Sequence, residues 1–249
     1  MPLIPFPPDC LTGQLVRREK RFLVEFRHNG QNLWAHTNNS GSMLGLVRPG
    51  FPVLVSPARG KERKLAYTLE LVNILPPDVS GLPLDAGWVG VNTLTPNRLL
   101  RAAHTAGLLP FARNYTHLKT EAKVGKSRMD GLLTGPGLPP LWVECKNVTL
   151  VEDGVAAFPD AVTQRGQKHL LEMMDIVHSG QRAAFFYCIQ RADARCFGPA
   201  DYVDQGYARL FYQALAAGVE VYPYVVTATP EGISLTEPLP VVEAHFNVA

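Results

Sequence analysis

No stretch of this chain approaches the roughly 18 uninterrupted apolar residues of a bilayer-spanning helix, so no membrane partner is expected. Its first nine residues are rich in proline, with no basic start and no long apolar run, so a secretory signal is not expected there. Cysteine is scarce. Cys10, Cys145, Cys188 and Cys196 show no C-x-x-C spacing, which argues against a zinc site and a disulfide framework and fits a reducing cytoplasm. Also missing are G-x-G-x-x-G, a Walker loop and any Ser-His-Asp spelling, which weighs against a sugar or nucleotide-sugar enzyme. Net charge is only +2, too little by itself to mark a nucleic-acid binder.

What is present is unevenly spread. Residues 1–75 hold 10 Lys/Arg against 5 Asp/Glu, residues 76–130 hold 7 against 4, and residues 131–249 hold 7 against 13. A basic front and an acidic back suggest one surface for a polyanion and another that holds cations or faces water. The 249 residues, 46% hydrophobic and 18% charged, suit a soluble globular protein of one large or two ordinary domains. A homodimer is compatible with the sequence but not required by it.

Residues 11–75 read as all-β. Five short runs (Leu15-Val16, Phe22 to Phe26, Asn32 to His36, Pro52 to Val55, Ala66 to Leu75) suit a small barrel of the oligonucleotide-binding type over residues 1–80, with a turn at His28-Asn29-Gly30. Arg17, Arg18, Lys20 and Arg21, and the second basic run with Lys61 and Lys64, would decorate it. Phe22 and Trp34 are either stacking platforms for bases or core packing. The loop Thr37 to Ser42 either grips a phosphate or is an ordinary turn-and-cap segment. His36 is a strand-end histidine or, less compellingly, a catalytic base.

Residues 76–87 shift in composition and read as a linker. Residues 81–249 then alternate. A helix opened by Thr95 and Pro96 precedes three strands near Tyr115 to Val124, Met129 to Leu133 and Leu141 to Val148. An amphipathic helix runs from Pro159-Asp160 to about His178, and strands and a helix follow to Leu235. The order αβββαβαβ means helices packed on a mixed sheet, an α/β (α+β) arrangement.

Chemistry concentrates in Ser127 to Leu150. Acid-x-lysine is expected less than once by chance and occurs three times, at Glu62, Glu121 and Glu144, but only Glu144-Cys145-Lys146 lies inside an apolar strand. Side chains alternate along a strand, so Glu144 and Lys146 share a face that Asp130 on the preceding strand can reach. Two acids beside a lysine would hold a hard divalent cation such as Mg²⁺ (or Mn²⁺). The alternative for Glu144 and Lys146 is a surface ion pair, worth little.

The spelling Ser127-Arg128-Met129-Asp130, with Val143-Glu144-Cys145-Lys146-Asn147-Val148-Thr149-Leu150, resembles the PD-(D/E)XK nuclease-like fold. With Lys20-Arg21-Phe22-Leu23, Gly41-Ser42-Met43, Trp88 to Thr93, Phe158 to Thr163, Arg165-Gly166 and Lys168-His169, the chain resembles the sugar fermentation stimulation protein A family of prokaryotes almost throughout. That resemblance implies an N-terminal oligonucleotide-binding barrel and a nuclease-like domain. It also implies sequence-nonspecific DNA binding and a link to sugar, notably maltose, metabolism. Thr37-Asn38 stands where the family has Cys-Pro, and Gly131 where a bulky apolar residue is usual.

The expected roles follow. Asp130 and Glu144 would ligate Mg²⁺ with the Cys145 carbonyl as a third oxygen, and Lys146 would activate water. Glu121 is either a further acid or an exposed strand residue. Arg128, Arg165, Lys168 and His169 would meet backbone phosphates, the last three from one helix face. Two functions remain open: a Mg²⁺-dependent DNA nuclease, and a non-catalytic DNA-binding regulator of sugar metabolism.

Overall fold

In the computed structural model, residues 1–59, 63–75, 86–125 and 127–243 are described. A two-residue strand, β1 (Ile4–Pro5), precedes β2 (Leu11–Glu19), β3 (Leu23–His28), β4 (Gln31–His36), β5 (Pro52–Pro57) and β6 (Tyr67–Asn73). β2 pairs with β3 and β5, β3 with β4, and β5 with β6, all antiparallel. A parallel contact of β4 with β6 closes the ring, Ala35 lying opposite Tyr67. This is the expected oligonucleotide-binding barrel, and closure removes the unpaired edges an open sheet would expose. Leu15, Phe26, Val53 and Leu69 fill its interior. Asn29 and Gly30 turn the β3–β4 hairpin with φ of 48° and 78°, the twist a two-residue hairpin favours. Lys20 and Arg21 also take positive φ, 48° and 63°, and carry two basic side chains out at the β2–β3 tip.

The expected linker lies mostly outside the described residues. After it, β7 (Trp88–Gly90) pairs with β6, so the barrel sheet recruits a strand from beyond residue 80. Helix α1 (Thr95–Thr105) follows. Leu94 rather than Thr95 occupies the cap position, and the Thr95 hydroxyl is buried without a hydrogen-bond partner among the described residues. Pro96 sits in the first turn, where a missing N–H does no harm.

The remaining elements are β8 (His117–Val124), β9 (Ser127–Thr134), β10 (Leu141–Val148), β11 (Leu150–Glu152), β12 (Val155–Phe158), α2 (Gln164–His178), β13 (Arg182–Ile189), β14 (Cys196–Pro199), α3 (Gln205–Ala216), β15 (Glu220–Thr229) and β16 (Gly232–Pro238). Seven of the strands form one mixed sheet in the order β1-β16-β15-β13-β10-β9-β8. β10, β13 and β15 run parallel at its centre, and their near-continuous apolar runs reflect burial on both faces. α1 covers one face, while α2 and α3 cover the other. Among the described residues no helix is long and apolar enough to cross a membrane.

Three points depart from the sequence reading. β11, β12 and β14 form a small separate sheet that was not expected. α2 begins at Gln164, leaving Ala161 and Val162 ahead of it. Thr163 is the cap: its Oγ1 accepts from the Gly166 N–H at 3.0 Å and its own N–H goes to Asp204 at 2.9 Å. β1 belongs to the second sheet, with Ile4 opposite Ile233. Gly166 permits a close approach of Tyr207 on α3: a Cβ there would lie 3.1 Å from its ring.

The two parts share a core. Leu54 and Leu71 point out of the barrel and pack with Leu99, Leu100, Val143 and Phe186. Leu71→Ala is therefore expected to lower stability by roughly 2–5 kcal/mol while keeping one cooperative transition. Denaturant unfolding followed by tryptophan fluorescence and by far-ultraviolet circular dichroism checks this; separate midpoints for the two probes would show that the parts unfold independently.

Candidate active site

β9 and β10 pair from Leu133 opposite Leu141 to Gly131 opposite Val143, where the ladder ends. At that point the Asp130 side chain takes over a bond that the ladder would have supplied. Its Oδ2 accepts the Cys145 backbone N–H at 2.8 Å, and its Oδ1 accepts the Asn97 amide of α1 at 2.6 Å. The carboxylate thus wedges the two strands apart. Across β8, at the same level, Glu121 has a φ of 53°, outside ordinary strand backbone. Gly131 suits its place because a Cβ there would lie 3.0 Å from Leu100 and 3.2 Å from Leu118.

Glu144 is 4% exposed. Its Oε1 receives Lys146 Nζ at 2.8 Å and His169 Nδ1 at 2.5 Å. Burial alone would raise the Glu144 pKa, but the Lys146 ammonium and His169 outweigh it and take it from 4.5 down to about 2. Asp130 goes the other way. Burial and then the Glu144 charge hold its carboxyl above the usual range, against the Cys145 N–H, the Asn97 amide and Lys146. Two neighbouring acids are thus pushed apart in proton affinity. That pattern marks functional sites, where charge is concentrated beyond what folding alone rewards.

The other sequence candidates fall into three groups. His169 is 6% exposed and lies against Glu144 and Lys146, so it does not share an open face with Arg165 and Lys168. Its spacing to Met173 and Ile176, four and seven positions on, belongs to the buried stripe of α2 and signalled this. Arg165 is exposed, and Lys168, also exposed, pairs with Glu172 at 3.4 Å and reaches the Ser127 hydroxyl. Arg128 and Glu121 form an exposed pair at 3.3 Å, so Glu121 does not join Asp130 and Glu144.

On the barrel, Arg17 is occupied by Glu19 and Glu25, both at 2.9 Å, and lies 5.6 Å above the Trp34 ring. Arg18 donates to the carbonyls of Asn39, Gly41 and Arg21 at 2.6, 3.1 and 2.9 Å. It clamps a loop rather than reaching for a ligand. That loop is a turn-and-cap segment: the N–H groups of Asn39 and Gly41 are taken by Thr37 Oγ1 and Asn39 Oδ1. Ser42 donates to Asp160, to Oδ2 at 3.0 Å and to the carbonyl at 3.3 Å, tying the barrel to the segment before α2. His36 stacks on Phe22, with ring centroids 6.2 Å apart, on the barrel surface. Phe22, Lys20, Arg21 and Lys64 are exposed, while Lys61 lies outside the described residues.

Asn97 and Asp160 were missed, since an asparagine in a helix and an aspartate after proline carry no distinctive spelling.

The signs of the two shifts set opposite pH behaviour. Ionised Glu144 adds stability that is present above 4.5 and is lost as pH falls through about 2. Asp130, held high, gives its stability at low pH and loses it as pH rises. Asp130→Asn, with the Asn97 amide turned to accept, is therefore expected to raise Tm at neutral pH in chelator by about 2–4 °C, near 1 kcal/mol for a chain this size. A thermal melt against pH checks it; a variant that melts lower at pH 7 but not at pH 4 would reverse the sign.

Comparison with known proteins gives the family. Residues 94–232 match the sugar fermentation stimulation protein RE domain, and residues 16–76 match the SfsA N-terminal OB domain. The sugar fermentation stimulation protein homolog of Lawsonia intracellularis is 50% identical over 254 residues, covering 96% of this chain and 97% of that one. The homolog of Maridesulfovibrio salexigens is 50% identical over 241 residues with the same coverage. A solved structure of Pyrococcus furiosus SfsA in complex with Ca²⁺ superposes with a TM-score of 0.86 at 25% identity, covering 98% of this chain and 100% of that one. The chain belongs to the sugar fermentation stimulation protein family.

Proposed function

We propose that the protein binds DNA without sequence preference and hydrolyses its phosphodiester bonds with Mg²⁺ or Mn²⁺. The observation that carries this reading is Asp130 seated in the wedge between β9 and β10, beside Glu144 and Lys146. Burial and then the Glu144 charge hold Asp130 high, so a nearby cation would favour its ionised form. The donors are oxygens, which suits a hard divalent ion. Within a strand the N–H and C=O of one residue point the same way, so the Cys145 carbonyl faces the wedge that receives its N–H. Glu144 keeps Oε2 without a hydrogen bond among the described residues, while Oε1 is taken by Lys146 and His169. No group of three acids, histidines or cysteines suited to a metal occurs among the described residues, so much of the ion's shell would be water, as Mg²⁺ prefers. The Pyrococcus furiosus relative carrying Ca²⁺ supports an oxygen-lined site of this kind.

A bound divalent ion would polarise the phosphate and lower the pKa of water beside it. Lys146 does the positioning from the protein side: held by Glu144, it points a donor at the phosphate oxygens where charge builds. His169 fixes Glu144 from α2, and Asn97 fixes Asp130 from α1. Arg165, Lys168 and Arg21 supply exposed positive charge for the DNA backbone. One observation favours a second reading, a DNA-binding regulator of sugar (maltose) metabolism without catalysis: the relatives are named for an effect on sugar fermentation.

Incubation with plasmid, linear duplex and single-stranded DNA, with Mg²⁺, Mn²⁺ or chelator, separates the two. Metal-dependent cleavage is expected, falling by roughly 10²-fold or more in Lys146→Gln with DNA binding and the thermal melt kept. Binding without cleavage in any metal would leave only the regulator. DNA affinity is expected to fall steeply with salt, and Arg165→Ala is expected to reduce the slope of log K against log salt by about 1. A flat salt dependence would remove the phosphate contacts.

A further inference from the structure

A cleft of about 550 Å³ leads away from Lys146 along the end of β10. One wall is the barrel loop with Asn39 and the β2–β3 tip with Arg21; the other is the segment from Phe158 through Val162 to Arg165. Its charge and surfaces are mixed in a particular way. Arg21, Lys146 and Arg165 are positive, Asn39 and Asn147 offer amides, and Phe158 and Val162 offer apolar contact. Val162 is 71% exposed and adds apolar surface to the cleft lining.

The width of this cleft is held from both sides. Ser42 bonds to Asp160 across it, and Gly41 packs so closely that a Cβ would lie 2.9 Å from Asp160 Oδ2. The loop cannot easily swing away, because Arg18 grips the Asn39 and Gly41 carbonyls and Asn39 donates to the Val91 carbonyl at 3.3 Å. A space of this size matches a small-ligand pocket, roughly 300–1,000 Å³. A duplex, whose major groove alone is about 12 Å wide, would have to part those bonds to enter. A single strand would not: its phosphates can follow the three cations while a base lies on Phe158 and Val162, the combination that holds single strands elsewhere.

We infer that this cleft takes one strand of DNA, so that the substrate is a single-stranded segment, a flap or a frayed end rather than intact duplex. The inference rests on the nuclease reading for its chemistry, but its test is a binding test. Fluorescence anisotropy in chelator compares a labelled single strand, a duplex with a single-stranded flap, and the blunt duplex of the same sequence. The single strand and the flap are expected to bind at least tenfold more tightly than the blunt duplex. Arg21→Ala with Arg165→Ala, both at exposed positions, should shrink that ratio towards one. Val162→Ser, also at an exposed position, should weaken the single strand and leave the blunt duplex unchanged. Blunt duplex bound as tightly as single strand, or a ratio indifferent to these substitutions, would overturn the inference. Cleavage is read separately with Mg²⁺: strand preference without cleavage would remove the nuclease and keep the cleft, and cleavage of blunt duplex without strand preference would do the reverse.

Discussion

The architecture around the site depends on one hydrogen bond, from the Cys145 amide to the Asp130 carboxylate. A backbone N–H buried in a sheet must find a partner, and normally a neighbouring strand supplies it. Here an acidic side chain does so, and β9 departs from β10 as a result. The departure leaves a carboxylate, rather than a strand partner, against the Cys145 amide in the middle of a sheet. Burial and then the Glu144 charge hold the Asp130 carboxyl above the usual range even though the Cys145 N–H favours its ionised form.

That scaffold is stiff because the barrel and the mixed sheet are not separate bodies. Leu54 and Leu71 turn outward from the barrel into the same apolar cluster as Leu99 and Phe186. Polar links run beside this core. Asn38 donates to Asn92 at 2.7 Å, Asn147 to the Gly90 carbonyl, and Gln190 to Asn147. A Cβ at Gly90 would meet the Gln190 side chain at 2.1 Å, which shows how closely the seam is drawn. The cleft beside Lys146 therefore has walls from both parts, set by packing rather than by a hinge.

Much of this was legible in the residues, and the misses have physical causes. The barrel strands and the β8–β9–β10 run announced themselves through β-branched and aromatic runs punctuated by turns, and the pairing of Asp130 with Glu144-Cys145-Lys146 followed from strand alternation. What stayed hidden was tertiary. Asn97 becomes significant only because α1 packs where β9 bends away, and no local pattern encodes that. Arg18 belongs to a basic run, yet four carbonyls of its own chain claim it. β11, β12 and β14 are too short, at three or four residues, for periodicity to reveal them. His169 was the one misplacement that helical spacing alone could have avoided.

The docking of β1 onto β16 bears on how the molecule is made. Ile4 and Pro5 pair with Ile233 and Gly232, which lie far along the sequence from them. The barrel can assemble from its own consecutive strands as synthesis proceeds, since each pairs nearby in sequence. The mixed sheet cannot gain β1 at its edge until β16 has been made, so an early segment waits for a much later partner.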